Sequence, residues 1–218
     1  MKTLAIIALA GVAGAANAQD LLDYAGANDF GAGSAARNVA ANLTGNDLFA
    51  GSGVNSTTNP TFNYNGWGVG NSLADAVAQD EFFSFGFDVD AGYQVDLTDF
   101  DIRFDRSGSG PDDVAIFLWG GDLASSTEVL THDFNDSGAG ITFANVDLSS
   151  LGTLTGTVEF RLYAFNAESA LGTFDLESFD FPEDDRSIVI RGNVSLIPTP
   201  ASAGMLALGG LLAARRRR

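Results

Sequence analysis

The sequence predicts an all-β protein, built as a two-layer antiparallel β-sandwich, from its composition, its residue alternation and its turns. Glycine (26 residues) and phenylalanine (17 residues) are abundant in a chain of 218 residues, a bias that suits strands and tight turns better than helices. Residues 83–89 alternate apolar side chains with small or polar ones, which is the two-residue period of a half-buried strand. Short segments of Gly, Ser, Asp and Pro separate this run from those that follow, as turns do.

About eight strands are expected, most of them after residue 82, with almost no helix between them. The strand over residues 95–104 is predicted to turn one alternating set of side chains inward: Asp96, Thr98, Phe100, Ile102 and Phe104. Residues 114–119 are apolar on both faces, so this strand is expected at the centre of a sheet. The other candidate strands follow in order: residues 127–134, 141–148, 158–165, 172–179 and 187–196.

Residues 19–79 have no long apolar period and give a weaker pattern. We expect a short strand near residues 39–43, a loop over residues 51–60 and one helical turn over residues 72–79. The chain has no strict internal repeat, which argues against a solenoid or a propeller. A jelly-roll-like sandwich is the favoured topology, and a closed barrel is the alternative.

The two ends of the chain carry signals that are separate from this fold. A positive charge and an apolar run lead to a small-x-small motif, and cleavage of such a secretory signal peptide is expected after Ala18. Residues 1–18 are then removed, and the mature chain begins at Gln19. Residues 19–197 are long enough for one domain with its own core. Residues 198–218 form a separate C-terminal segment.

This C-terminal segment joins a proline-rich tripeptide to a short hydrophobic helix and a basic end. Its charged and proline-rich parts are Pro198, Thr199 and Pro200 at the start and Arg215, Arg216, Arg217 and Arg218 at the end. The fourteen uncharged residues between them extend about 21 Å as a helix. A stable membrane span needs roughly 20 residues, and the arginines are expected to remain cytoplasmic. We therefore favour a transient sorting signal over a plain membrane anchor.

The tripeptide, hydrophobic helix and arginine run resemble the PEP-CTERM sorting signal of exported bacterial proteins, with Thr199 where that family usually has Glu. The resemblance implies an exosortase-type processing enzyme as partner, at least transient anchoring in the membrane, and a final location at the cell surface or outside the cell. The body is similar to β-sandwich proteins of that family at several segments: residues 62–67, 81–85, 92–93, 106–111, 160–165 and 172–174. This similarity implies a non-enzymatic protein associated with extracellular polysaccharide or matrix.

The charge of the body is strongly negative. The formal net charge of the chain is −17, and without the signal-peptide lysine and the four terminal arginines six basic residues face 28 acidic ones. Such a surface repels nucleic acid and anionic membranes. The chain contains no cysteine, so apolar packing or a bound metal ion has to stabilise an exported domain that lacks disulfides.

The sequence predicts no enzyme. His132 is the only histidine and cysteine is absent, which excludes cysteine nucleophiles and zinc sites rich in histidine or cysteine. No serine lies in a G-x-S-x-G elbow, and no phosphate-binding glycine motif occurs. A glycoside hydrolase is the less favoured alternative, because with 28 acidic residues some pair of carboxylates falls within about 5–10 Å by chance.

A short acidic pattern suggests a calcium site. Asp133, Asn135 and Ser137 copy the spacing of the first half of an EF-type loop, but Ala144 stands where the closing glutamate would lie. Aspartates are also common in turns that hold no metal. A structural Ca²⁺ ion and ordinary turn chemistry therefore both stay open.

Exposed aromatic residues give the alternative function, a carbohydrate-binding surface module that Ca²⁺ could assist. Tyr64 and Trp67 lie in a predicted loop rich in Asn and Gly, and their rings combine an apolar face with a polar edge. Packing of Trp67 at the edge of the core is the competing interpretation. Trp119 ends an apolar strand and is expected in the core.

Processing at both ends would fix the mass of the native protein. We expect intact-mass spectrometry of protein from the cell envelope and from the medium to show a chain that starts at Gln19 and ends between Pro198 and Ala201. A mature species that retains the four terminal arginines would identify the tail as a lasting anchor and would contradict the sorting interpretation.

Overall fold

The computed structural model describes residues 18–26, 35–57, 62–135, 139–180 and 183–198, and within them the predicted all-β class is confirmed. The strands are β1 (Gln19–Ala25), β2 (Leu43–Ala50), β3 (Asn55–Ser56), β4 (Phe62–Asn65), β5 (Phe82–Val89), β6 (Tyr93–Arg106), β7 (Pro111–Leu118), β8 (Thr127–Asp133), β9 (Ile141–Asp147), β10 (Thr153–Leu154), β11 (Thr157–Ala167), β12 (Phe174–Leu176) and β13 (Arg186–Leu196). One helix, α1 (Leu73–Ala78), and a 3₁₀ turn, Ser149–Leu151, accompany them. The predicted C-terminal helix lies outside the described residues.

The strands form two antiparallel sheets that pack as a sandwich. The five-stranded sheet has the order β2-β5-β11-β7-β8. The larger sheet is built on β6, which pairs with β13 and β12 along one edge and with β9 and β10 along the other. β1 extends this sheet beyond β13, and β4 and β3 extend it beyond β12. Successive strands β5, β6 and β7 alternate between the sheets, which gives the predicted jelly-roll-like sandwich and not the closed barrel.

The long strand β6 contains a bulge that changes its predicted inward face. Asp99 pairs with Arg191 and Leu97 pairs with Gly192, so Thr98 has no partner of its own in β13. An extra residue reverses the alternation of side chains, because successive side chains point to opposite faces. The buried apolar residues of β6 are Val95 and Leu97 before the bulge and Phe100, Ile102 and Phe104 after it. The prediction that Asp96 and Thr98 face the core is therefore wrong.

Aromatic rings fill the space between the sheets. We call five of them the aromatic seam: Phe62, Trp67, Phe83, Phe104 and Phe174. The Phe83 ring centroid lies 4.7 Å from that of Phe62, 5.3 Å from that of Trp67 and 5.8 Å from that of Phe174. Tilted and edge-on pairs of this kind contribute about 0.5–1.5 kcal/mol each beyond the burial of their surface. The seam therefore fastens β5 of one sheet to β4, β6 and β12 of the other.

Helix α1 covers part of the outer face of the five-stranded sheet. The Ser72 hydroxyl accepts a hydrogen bond from the Asp75 backbone N–H, and the Asp75 carboxylate accepts one from the Ser72 N–H. This capping box confirms the predicted helical turn. Ala76 packs with four side chains of the sheet below it: Phe82, Ala115, Phe117 and Tyr163. These side chains form a second apolar cluster, separate from the core between the sheets. This cluster explains why β7, which lies between β11 and β8, is apolar on both faces.

The weak pattern before residue 80 leads to several differences. Strand β1 is not predicted by the sequence, because four consecutive residues, Leu21 to Tyr24, are buried without alternation. The strand expected near residues 39–43 instead begins at Leu43, and the loop predicted over residues 51–60 contains β3. Later in the chain, β12 has three residues, fewer than the predicted range of 172–179.

Strands β1 and β13 bring the two predicted processing points to one end of the sandwich. Gln19 pairs with Gly192, and β13 continues from there to Leu196. Ile197 donates its backbone N–H to the Gly92 carbonyl oxygen at 2.9 Å. We call this the terminal end. No helix in the described part of the chain is long and apolar enough to cross a membrane.

The opposite end is closed around a buried cation. The Arg106 side chain has no exposed surface and forms ion pairs with Asp112 and, at 3.5 Å, with Glu168. Its guanidinium also donates to the backbone carbonyls of Ser107 at 3.0 Å and Gly108 at 3.2 Å. Loss of a partner would leave a buried charge uncompensated, so Arg106 holds the turn between β6 and β7 against the segment that follows β11.

Tyr24 links the two sheets through its hydroxyl. Its ring lies in the core on β1, and its Oη donates to the Asn46 carbonyl oxygen at 2.7 Å and accepts from the Gly86 N–H at 3.0 Å. The ladder between β2 and β5 is irregular between Asn46 and Phe49, so the hydroxyl serves backbone groups beside a bulge. Burial raises the pKa of Tyr24 well above its ordinary value, although the Gly86 hydrogen bond opposes this effect.

Replacing Tyr24 by Phe tests this link. Near neutral pH we expect Tyr24→Phe to lower the free energy of unfolding by about 1–3 kcal/mol, because buried backbone groups lose their partner. A tyrosine in the unfolded chain ionises near pH 10, whereas the folded Tyr24 resists ionisation. Wild-type stability should therefore fall as the pH rises above about 10, and the variant should lose stability less steeply. Urea unfolding at neutral and alkaline pH measures both effects.

The matched control is Tyr93→Phe, at a half-buried tyrosine outside the aromatic seam. It should change the free energy of unfolding at neutral pH by less than about 0.5 kcal/mol. Equal alkaline slopes for the wild type and Tyr24→Phe would contradict the proposed role of the hydroxyl.

Candidate functional site

The outer face of the five-stranded sheet is partly open beside α1. Cross-strand register places Ser84 of β5 next to Arg161 of β11, and Glu159 lies on the same face because it is two residues away. Trp119 follows β7 and donates its backbone N–H to the Glu159 carbonyl oxygen at 2.8 Å. We call the surface formed by Phe49, Ser84, Trp119, Glu159 and Arg161 the open strip.

The centre of the open strip is an arginine held between two aromatic rings. The guanidinium carbon of Arg161 lies 4.3 Å from the ring centroid of Phe82 and 4.4 Å from that of Trp119. Both distances are well within the roughly 6 Å reach of a cation–π contact. The Arg161 Nε also donates to Glu159 Oε1 at 2.7 Å. Two rings and one carboxylate therefore fix the guanidinium in place.

The ionisation of this group follows from its neighbours. Burial alone disfavours the guanidinium charge, but its interactions with Glu159 and Tyr163 raise the pKa of Arg161 above its ordinary value. Burial raises the pKa of Tyr163, and the nearby Arg161 charge opposes that shift. The strip therefore keeps a permanent cation beside a neutral phenol.

Phe49 is the exposed aromatic residue of the open strip. Its side chain is 56% exposed, whereas Leu48 beside it is 3% exposed. The irregularity in β2 turns Leu48 into the core and sets Phe49 opposite Ser84. The Phe49 ring centroid lies 6.3 Å from that of Phe82, so exposed and buried aromatic surface is continuous between them.

The open strip combines the groups that recognise a sugar. Aromatic surface at Phe49 and Trp119 can cover the apolar C–H face of a pyranose ring. The Arg161 N–H groups donate hydrogen bonds, the Glu159 carboxylate accepts them, and the Ser84 hydroxyl does both. The strip extends across the neighbouring strands β2, β5 and β11 to the end of β7 on one face of the sheet, whereas small-molecule sites are usually concave. It therefore suits an extended chain of sugars better than a small ligand.

The structure corrects the predicted glycan contact at Trp67. This side chain has no exposed surface, and its indole N–H donates to the Tyr64 carbonyl oxygen at 2.9 Å. A buried indole has no face for a sugar, so Trp67 has the packing role that was the competing interpretation. Tyr64 is half-buried against Phe62 and Phe83, and burial raises its pKa. It belongs to the larger sheet, not to the open strip.

The residues of the open strip were not predicted from the sequence as a binding surface. Trp119 was expected in the core, and its ring does pack against Tyr163 at a centroid distance of 5.7 Å, yet it is only half-buried. Glu159 and Arg161 alternate with buried residues of β11, and that alternation could have placed them on an outer face. Phe49 gave no such signal because β2 is bulged.

The predicted calcium loop is only partly described. Asp133 Oδ1 accepts a hydrogen bond from the Asn135 backbone N–H at 2.8 Å, which is an ordinary turn contact. Ser137 lies outside the described residues. Within the described ranges, no group of three or more His, Cys, Asp or Glu side chains could hold a metal ion.

One pair of carboxylates meets at the end opposite the terminal end. Asp113 and Asp133 are direct cross-strand partners of β7 and β8, next to the half-buried His132. Asp113 Oδ2 accepts from the Asn166 side-chain amide at 2.9 Å, and Asp133 accepts from Asn135. Both aspartates thus stabilise neighbouring backbone. Other carboxylates also face each other across strands, Asp99 with Asp147 and Asp105 with Asp175, so this pair is not a distinctive place for an acid and a base.

The predicted processing points lie directly beside the fold. Ala18 and Gln19 are exposed at the start of β1, and Pro198 follows β13. The other residues of the predicted sorting signal lie outside the described residues: Thr199, Pro200, Arg215, Arg216, Arg217 and Arg218.

Comparison with known proteins gives little to transfer. No protein-family model matches the chain, and no curated protein matches it. Among solved structures, a mutant of a family 29 carbohydrate-binding module, studied for its mechanism of ligand recognition, is similar over 85% of this chain and 99% of that chain, with 14% sequence identity and a TM-score of 0.31. At that TM-score the likeness says nothing about the function of this chain.

The calcium hypothesis makes a stability prediction. If Asp133, Asn135 and Ser137 ligate Ca²⁺ in the folded protein, excess EDTA should lower the melting temperature by several degrees, because a ligand that binds only the folded state stabilises it. Asp133→Asn should then abolish the response to EDTA. A melting curve that does not change in excess EDTA would remove the hypothesis.

Proposed function

We propose that the body of this protein is a non-catalytic carbohydrate-binding module that holds a polysaccharide along the open strip. The observation that carries the proposal is the Arg161 guanidinium, clamped between Phe82 and Trp119 and fixed by Glu159. Polar groups that are already oriented lose less conformational entropy on binding. The clamp therefore presents a rigid donor and acceptor beside exposed aromatic surface.

The geometry of the strip favours binding over hydrolysis. Glycoside hydrolysis needs an acid and a second carboxylate about 5–10 Å apart across the scissile bond. Glu159, the carboxylate at the centre of the strip, is paired with Arg161 at 2.7 Å. It is also the single carboxylate among the five residues that form the open strip, so the strip lacks the second carboxylate that hydrolysis needs. Glu159 serves instead as a hydrogen-bond acceptor.

We also propose that the module is exported and sorted through its C-terminal segment, with an exosortase-type enzyme and, at least transiently, the membrane as partners. Two observations support this proposal. Strand β1 begins at Gln19 and strand β13 ends at Leu196, so cleavage after Ala18 and near Pro198 removes no strand. Both points lie at the terminal end, while the open strip lies on a side of the sandwich, where a glycan can reach it in anchored and released protein alike.

Loss of the aromatic surface tests the binding proposal. We expect Trp119→Ala to weaken binding to a soluble neutral β-glucan at least about tenfold in affinity electrophoresis, which corresponds to about 1.4 kcal/mol. Phe49→Ala should weaken binding without unfolding, because Phe49 is mostly exposed. Circular dichroism would confirm that both variants keep the fold.

Leu171→Ala is the matched control, since Leu171 is 81% exposed and lies in the segment between β11 and β12, outside the open strip. It should bind as the wild type does. Wild-type affinity in folded Trp119→Ala and Phe49→Ala would contradict the proposal, as would the absence of binding by the wild type to a broad panel of polysaccharides.

A further inference from the structure

Every arginine in the described body forms an ion pair. The six are Arg37 with Asp23 and Asp185, Arg103 with Glu177, Arg106 with Asp112 and Glu168, Arg161 with Glu159, Arg186 with Asp20 and Asp184, and Arg191 with Asp20, Asp99 and Asp101. The sequence has no lysine after Lys2. All basic side chains of the body are therefore already matched by carboxylates, and acidic residues far outnumber these arginines in the described ranges.

The same imbalance surrounds the open strip. Asp88 lies on the outer face of β5, because it alternates with Phe82 and Ser84. Glu128 of β8 is exposed and lies directly opposite Phe117, which faces the same side. Asp47 is exposed in the irregular part of β2, next to Leu48 and close in sequence to Phe49. These three carboxylates flank a strip whose one cation, Arg161, is neutralised within it.

We infer that charge selects the glycan: the open strip prefers polysaccharides that carry protonated amino groups, binds neutral ones more weakly and excludes those that carry uronate or sulfate groups. This inference rests on the proposed function. Hydroxyl and amino substituents of a pyranose project sideways from a ring that lies on an aromatic surface. An ammonium group there would meet Asp47, Asp88 or Glu128, whereas a carboxylate or sulfate would find no unpaired cation.

The size of the effect depends on salt. Charges at an exposed surface interact over a Debye length of about 8 Å at physiological ionic strength and about 3 Å at 1 M salt. A polymer that carries an amine on most of its sugars brings several charges within that range at once. The preference for amino sugars should therefore be large in dilute buffer and should vanish at high salt, when only the aromatic and hydrogen-bond contacts remain.

The experiment compares three soluble polymers with one β-1,4-linked backbone geometry: hydroxyethyl cellulose, chitosan and carboxymethyl cellulose. At about pH 5.5 the amines of chitosan are protonated and the carboxymethyl groups of carboxymethyl cellulose are ionised. In about 0.02 M salt we expect chitosan to bind at least tenfold more tightly than the neutral polymer, and carboxymethyl cellulose not to bind. In about 0.5 M salt, where screening shortens the Debye length, chitosan and the neutral polymer should bind alike.

Charge variants separate selection at the strip from general attraction. Asp88→Asn with Glu128→Gln should reduce the preference for chitosan at least threefold and leave binding to the neutral polymer unchanged. Glu183→Gln, at an exposed position between β12 and β13 of the larger sheet, removes a charge outside the strip and should have no effect.

Each outcome decides between the two proposals. Equal affinities for all three polymers, or a chitosan preference that the strip variants leave intact, would overturn the charge inference while the carbohydrate-binding function stands. Failure of all three polymers and of the broader panel to bind would overturn the proposed function itself, and the inference with it.

Discussion

The packing of aromatic rings between the two sheets is the interaction on which the rest of this structure depends. The chain has no cysteine and therefore no disulfide, so apolar burial has to hold the sandwich together. Phe83 contacts Trp67 and Phe174 in the aromatic seam, and Phe85 stacks on Phe160 at 5.5 Å. The same requirement removes Trp67 from the surface, whereas Phe49 and Trp119 keep exposed surface at the outer face of the five-stranded sheet.

A single irregularity in β2 connects the core to the candidate site. Between Asn46 and Phe49 the ladder to β5 is broken, and the Tyr24 hydroxyl satisfies backbone groups exposed by the break. The same break turns Phe49 outward to join the open strip. Bulges often change the direction of a side chain next to a functional surface. Here Tyr24, from the opposite sheet, stabilises the inner side of the bulge.

The sequence was sufficient for the fold class and most strands after residue 82, because regular alternation such as that of Phe83, Phe85 and Phe87 reports burial directly. The prediction of inward-facing side chains failed where a bulge shifts their alternation, at Thr98 in β6 and beside Leu48 in β2. A register shift of this kind cannot be recognised from composition. The open strip could not be predicted from the sequence for a related reason. Trp119 and Arg161 are far apart in sequence, and only the pairing of β7 with β11 brings them together.

The central claim is that a glycan lies along the open strip, and an NMR titration tests it most directly. With a short neutral β-1,4-linked oligosaccharide, we predict chemical-shift changes at the backbone amides of Ser84, Glu159 and Arg161 and at the indole N–H of Trp119. Amides of the larger sheet, on β6 and β13, should not change. Changes confined to the larger sheet or to the ends of the sandwich, or none at saturating ligand, would contradict the account.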